Sequence, residues 1–223
     1  MNLLAGKNSK IKYSHQGLAV SDLTHLLIDE ALPVAEAVGV EWQYKRMAET
    51  GEMDFKKIEK YLNLLHGKPQ SWVAERIDKA EPFAGSKETI NYLKEMGYET
   101  VIVTDDALMS LPECNDIVNK KLGADKIIPT AEIEYHEGKI GGGLKNTRTK
   151  PQILREIIEL HNPLNLLCMV QGLNDYEMAA SARKIGGTII SVNSHSQKLE
   201  SVSHHHIDSI AEAPGLLTRI LQK

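Results

Sequence analysis

Strand-like and helix-like stretches alternate along most of this chain, and that alternation limits the fold more than any other feature. Residues 18–20, 99–103, 126–128, 164–170 and 188–192 are short apolar or β-branched runs of the kind that become buried strands. Between them, residues 86–96, 108–121, 150–161 and 175–185 carry helical periodicity, and 210–221 closes the chain with another helix. Pro151 suits the first turn of its helix. Pro112 lies inside the 108–121 pattern, which is nonetheless read as mostly helix. Strands that alternate with helices form a parallel sheet covered on both faces. Residues 131–135 and the glycine-rich 138–143 read as a hairpin or flap, and 194–206 as a polar loop.

One stretch departs from the alternation. From Asp29 to Ala80 there are helical patterns and no strand: 29–38 ending at Gly39, a second around Trp42 to Ala48, a third over 55–65 with Asp54 as N-cap, and a fourth over 71–80. This predicts a helical insertion that leaves after the first strand and returns near Glu81-Pro82. At 223 residues, 42% hydrophobic and 25% charged, the chain can bury a core of ordinary size. A net charge of −4 gives no basic footprint for nucleic acid. No window reaches the roughly 18 uninterrupted apolar residues of a membrane helix, and Leu3-Leu4-Ala5 is too short for a signal-peptide core. The expected location is cytoplasmic. Cys114 and Cys168, without a CxxC, read as reduced, buried thiols.

In open parallel sheets, ligands bind at the carboxyl ends of the strands. The first strand ends on Asp22, the 99–103 strand on Thr104, and the 164–170 strand on Gln171, followed by Gly172, Asn174 and Asp175. Lys150 opens the helix before that last strand. A carboxylate nucleophile needs a cation to neutralise phosphoryl charge, a hydroxyl and a lysine can clamp the phosphoryl group, and further acids can hold Mg²⁺. These are the parts of phosphoryl transfer through an aspartyl-phosphate. Taken singly they are weaker: Asp22 could cap a turn, Lys150 could be an exposed helix start, and Asn174-Asp175 could cap the next helix. His204-His205-His206 fits a solvated loop better than a chelate, since neighbouring side chains diverge. Trp42, Tyr44, Phe55 and Trp72 read as packing within the helical insertion, and Gly141-Gly142-Gly143 lacks the P-loop pattern.

In this order the motifs resemble the haloacid dehalogenase (HAD) superfamily, and within it the phosphoserine phosphatases. LAVSDLTHLL (18–27) is similar to LAVFDLDGTL, VIVT places Thr104 at the second motif, TRTKPQIL places Lys150 at the third, and VQGLNDYEMAASA matches GDGxND with its following helix. The resemblance covers nearly the whole chain. It implies an α/β fold, a Rossmann-like parallel sheet over 17–28 and 81–223, with a small four-helix cap over 29–80. It implies Asp22 as nucleophile, Thr104 and Lys150 as phosphate ligands, and a Mg²⁺ site from Asp22, Thr24 (through its carbonyl), Gln171, Asn174 and Asp175. It implies Asp29, Glu30 and Asp105 beside the substrate, a small phosphorylated metabolite, with neither nucleic acid nor membrane as partner.

The chain also departs from the family pattern. Thr24 stands where the family has an acid/base Asp, and Leu26 where it has a Thr. Gln171 replaces a carboxylate metal ligand. Asp105-Asp106 replaces a small pair whose amide approaches the phosphate, and the position of the cap Arg that holds the carboxylate of phosphoserine falls on Leu62. Two expectations follow. One is a phosphomonoester hydrolase with a weakened Mg²⁺ site. The other is a catalytically silent relative that binds a small anion or a protein partner.

Overall fold

The computed structural model describes residues 17–43, 45 and 60–222. Six strands form one parallel sheet: β1 (Gly17–Ser21), β2 (Tyr98–Thr104), β3 (Lys126–Pro129), β6 (Asn165–Val170), β7 (Thr188–Val192) and β8 (His205–Ile207), in the order β3-β2-β1-β6-β7-β8. The chain builds outward from β1 on one side, then crosses to build outward on the other. The strand order therefore reverses at β1, the place where such sheets open a crevice for ligands.

Period-two alternation sorts the strand residues between two cores. Leu18, Val20, Val101, Val103, Cys168, Val170 and Ile189 pack with Ile153, Leu154 and Ile157 of α5 (Lys150–His161) and Met178, Ala179 and Ala182 of α6 (Tyr176–Lys184). Ala19, Ile102, Leu167, Met169 and Ile190 face the other way. They pack with Ile90 and Leu93 of α3 (Ser86–Glu95), Cys114 and Val118 of α4 (Pro112–Leu122), and Leu216 and Leu217 of α8 (Ala213–Leu221). All of β1 is buried. Gly17 is required there, since a Cβ would lie 2.5 Å from the Tyr98 ring.

The expected strands and the helices expected after residue 70 are present, with corrections. The 108–121 pattern splits: a 3₁₀ turn spans Ala107–Ser110, Leu111 is extended, and Pro112 begins α4, where its missing N–H leaves no bond unmade. The 194–206 stretch is more than a loop. It holds α7 (Gln197–Glu200) and leads into β8, in which His204 Nδ1 accepts from the Ile189 amide and His206 Nδ1 meets Ser191 Oγ at 3.1 Å. The histidines serve the sheet edge. Trp42 is 67% exposed, whereas Trp72 lies under Arg76, 3.5 Å from its ring centroid. Tyr44, Phe55 and the 55–59 part of the third expected helix lie outside the described residues.

Between Asp29 and Ala80, α1 (Leu32–Ala37), α2 (Gln70–Ile77) and residues 60–63 are helical. The chain leaves and rejoins the sheet at one point: Ile28 bridges to Pro82, and both the Phe83 amide (2.9 Å) and Ser86 Oγ (2.8 Å) donate to the Leu27 carbonyl. The hairpin β4 (Glu132–His136) and β5 (Lys139–Lys145) reaches the residues just before α2. Gly67 N donates to Ile140 O, Ile140 N to Lys68 O and Gln70 N to Gly138 O, at 2.8, 2.9 and 3.0 Å. Among the described residues, no helix is long and apolar enough to cross a membrane.

Cys114 and Cys168 are free and buried. Burial first, then the charge of Asp106, pushes the Cys114 thiol up to about 12, and burial raises Cys168 as well. Thiolate is the reactive form. Neither cysteine should react with a thiol reagent at pH 8, and both should react once the chain is unfolded in urea. Labelling of the folded chain counts the exceptions.

Candidate active site

The carboxyl ends of β1, β2 and β6 and the first turn of α5 converge on one buried ammonium. The Thr149 hydroxyl caps α5 through the Gln152 amide, and Gln152 returns a bond to the Thr149 amide. This capping box fixes Lys150 at the helix start with its side chain directed inward. Lys150 is 3% exposed. Its Nζ lies 2.8 Å from Asp22 Oδ1, 2.6 Å from Asp175 Oδ1 and 3.2 Å from Asp105 Oδ2. Asp22 follows β1 directly, and its amide donates to the Met169 carbonyl of β6, so its position is set by the sheet.

The other side chains tie down these acids. Asp175 Oδ2 accepts from the Gln171 and Gly172 amides at 3.0 and 3.3 Å, so this acid closes the turn after β6 from within. Asn174 Nδ2 donates to Asp105 Oδ2 (2.9 Å), and Thr130 Oγ1 donates to Asp105 Oδ1 (3.1 Å). Thr104 is fully buried at the end of β2, and its Oγ1 accepts from the Asp106 amide. Gln171 Oε1 is buried without a hydrogen-bond partner. An orphaned buried oxygen is a donor that a hard cation such as Mg²⁺ could use, although among the described residues no group of three or more His, Cys, Asp or Glu is arranged to hold a metal ion.

No protein-family model matches this chain. It is 28% identical to a phosphoserine phosphatase of Archaeoglobus fulgidus over 178 residues, 74% of this chain and 50% of that protein. It is 27% identical to a phosphoserine phosphatase of Methanocaldococcus jannaschii over 165 residues, 70% of this chain and 74% of that one. The match thus spans about half the length of the first relative. A solved structure described as a phospho-aspartyl intermediate analogue of phosphoserine phosphatase superposes with a TM-score of 0.70 at 23% identity, covering 87% of this chain and 94% of that one. The chain is similar in sequence to phosphoserine phosphatases and shares the fold of their solved structures.

Within this HAD fold the structure gathers Asp22, Thr104, Asp105, Lys150, Gln171, Asn174 and Asp175 at one edge. Thr24, Glu30 and Asp106 form a second, adjoining cluster. Thr24 Oγ1 donates to Glu30 Oε1 at 2.6 Å, and Glu30 is fully buried. Asp106 Oδ1 caps the Leu108 amide at 2.8 Å. Glu30 Oε2 and Asp106 Oδ2 have no other donor nearby, so two ionised acids there would be unsatisfied. A proton resolves this. Burial first, then the Asp106 charge, holds Glu30 well above the usual carboxylate range, so it can donate to Asp106. Asp29 stands apart, in an ion pair with His25 at 3.5 Å. His25 itself takes a left-handed backbone (φ 62°) in the turn after Thr24, strain of about 1–3 kcal/mol located beside the site. Leu62 is buried in the apolar core.

The charges are unequal by design of the sequence: three acids share one lysine. Burial, then the Asp175 charge, raises Asp22 to about 7, with Lys150 opposing. Burial also acts on Asp105, but Lys150 with the Asn174 and Thr130 hydrogen bonds outweighs it and keeps Asp105 below its usual value. Burial alone would lower Lys150; Asp105, Asp175 and Asp22 hold it well above its usual value.

Sequence reasoning missed Thr130 and the Thr24–Glu30 bond. Thr130 follows directly on β3, so the rule that singled out Asp22 and Thr104 would also have found it. The Glu30 contact depends on the turn at His25, which leaves no pattern in the sequence.

The second cluster has a pH signature. Asp106 is raised from 3.8 to about 6, by burial above all, against the Leu108 and Glu30 hydrogen bonds. A raised acid stabilises the fold below its unfolded pKa, and that contribution fades as pH climbs through the folded value. Between pH 4 and pH 7 the chain should therefore lose roughly 1–3 kcal/mol from this group, facing Glu30 and Asp29. Asp106→Asn should flatten that part of a urea-denaturation pH profile.

Proposed function

We propose that the chain is a Mg²⁺-dependent phosphomonoester hydrolase that acts through an aspartyl-phosphate at Asp22, with turnover below that of its relatives. The carrying observation is the pairing of Asp22, at the end of the central strand, with Lys150 at 2.8 Å. Asp22 attacks phosphorus, and the bond to the leaving oxygen breaks. Lys150 and Thr104 hold the phosphoryl oxygens as charge develops. Water then cleaves the aspartyl-phosphate. Asp22, Asp175, Gln171 and the Thr24 carbonyl would hold Mg²⁺, with Asn174 in support; the ion supplies charge neutralisation at the phosphoryl oxygens.

The weakness lies in proton transfer and in metal charge. Thr24 cannot titrate near neutral pH, so the leaving oxygen lacks the usual acid. General acid–base catalysis contributes about 10²–10⁴-fold. Gln171 offers a carbonyl oxygen without charge. The substrate is a small phosphorylated metabolite. Leu62, buried in the apolar core, stands where the resemblance places the arginine that would hold a carboxylate. Residues 29–80 would act as the lid.

A panel of phosphomonoesters assayed with Mg²⁺ tests the reading, with Asp22→Asn as control. Slow phosphate release above that control is expected, and the Thr24→Asp, Gln171→Asp double variant should gain about 10²-fold or more. No release above the control for any ester would leave the second reading, a silent anion- or protein-binding relative. The contact of Asp105 with Lys150 is what favours that alternative.

A further inference from the structure

An ammonium has three N–H donors and no acceptor. Around Lys150 stand three carboxylates: Asp175 at 2.6 Å and Asp22 at 2.8 Å accept hydrogen bonds from it, and Asp105 makes an ion-pair contact at 3.2 Å. A phosphoryl group that comes to Lys150 must compete with one of these acids for the ammonium. Asp175 is held by two backbone amides, and its side chain is 0% exposed. Asp22 is the attacking group in the reading above. Asp105 makes the longest of the three contacts and is the most exposed, at 21% against 8% for Asp22. It lies on the loop between β2 and the Ala107–Ser110 turn, where a side chain can swing without moving the sheet.

Its partners are those a phosphoryl oxygen would seek. One oxygen takes Lys150 and Asn174, and the other takes Thr130. We propose that the carboxylate of Asp105 is an internal anion seated where a phosphoryl group binds Lys150, and that a phosphate ester binds by displacing it. This rests on Lys150 being the phosphoryl-binding cation. Thr130 is then a positioning residue that holds Asp105 in the seat and never touches the ester. The seat sets affinity, because the ligand's apparent binding falls by the fraction of molecules with the seat free.

The experiment titrates inorganic phosphate into the full chain by calorimetry, at fixed Mg²⁺, for three proteins. Asp105→Ala empties the seat and should bind phosphate about tenfold tighter than the native chain. Removing a negative charge would help phosphate wherever that charge sat, so Thr130→Val is the sharper variant. It keeps the charge, removes one anchor of the seated acid, and should tighten phosphate by about threefold. Near-UV circular dichroism checks that both variants fold; if Asp105→Ala does not, Thr130→Val decides. Tighter binding by Thr130→Val supports the seat. Unchanged or weaker phosphate binding by Thr130→Val overturns it, even if Asp105→Ala binds tighter, and so does a lack of phosphate binding in all three. Hydrolysis is scored separately: a chain that shows the expected binding series yet hydrolyses no ester keeps the seat and loses the reaction.

Discussion

Lys150→Met should cost about 3–5 kcal/mol of folding stability near pH 8, the range for breaking a buried ion pair from one side. Methionine fills much of the same volume, so the loss is electrostatic. The native ammonium compensates Asp22, Asp105 and Asp175 at once, and Asp175 is fully buried. Without it, three carboxylates lie together with only amide, Asn174 and Thr130 donors. Each must take up a proton or pull the site open. The deficit should therefore shrink at pH 5, where protonation is cheaper. Urea denaturation at the two pH values reads this as a lower midpoint with an unchanged slope. A variant as stable as the native chain at pH 8 would show that water already solvates the cluster.

Asp22→Asn is expected to do two opposite things. It should abolish ester hydrolysis, by 10³-fold or more, since an amide cannot be the nucleophile. It should also stabilise the chain by about 1–2 kcal/mol at pH 8 without added Mg²⁺. Asp22 is raised from 3.8 to about 7 by burial and then by Asp175, against Lys150. The fold thus favours the neutral form. The native chain holds that advantage below pH 4 and loses it as pH rises through 7, whereas asparagine keeps it throughout. The gain should vanish in acid, and Mg²⁺ should narrow it by favouring the ionised native side chain. Thermal unfolding at pH 4 and pH 8, with and without Mg²⁺, separates these cases. Equal midpoints for the two proteins at pH 8 without Mg²⁺ would mean that Asp22 is ionised at no cost.

Most of the sheet was legible because five of its six strands carry their own signal. Val101-Ile102-Val103 is β-branched and Thr188–Val192 largely so, and their alternation fits two buried faces. The site residues were legible as polar groups placed just past strand ends, together with a lysine that opens a helix. What escaped depends on three-dimensional closure. β8 is three residues of mixed polarity that pair only because β7 offers an edge. The Thr24–Glu30 bond needs the left-handed turn at His25. From the sequence, Asp105 reads only as an acid beside the substrate. Only the fold brings it to Lys150, and the local sequence carries no trace of a residue 45 positions away.

The three backbone hydrogen bonds between residues 67–70 and 138–140 make one fabric of two segments far apart in sequence. Neither can swing aside alone without leaving amides and carbonyls unpaired. Opening of this seam is then a single collective event with one free-energy cost, not two independent fluctuations. Substitutions that weaken the hairpin would therefore loosen residues 67–70 as well, and hydrogen exchange of the two segments would rise together.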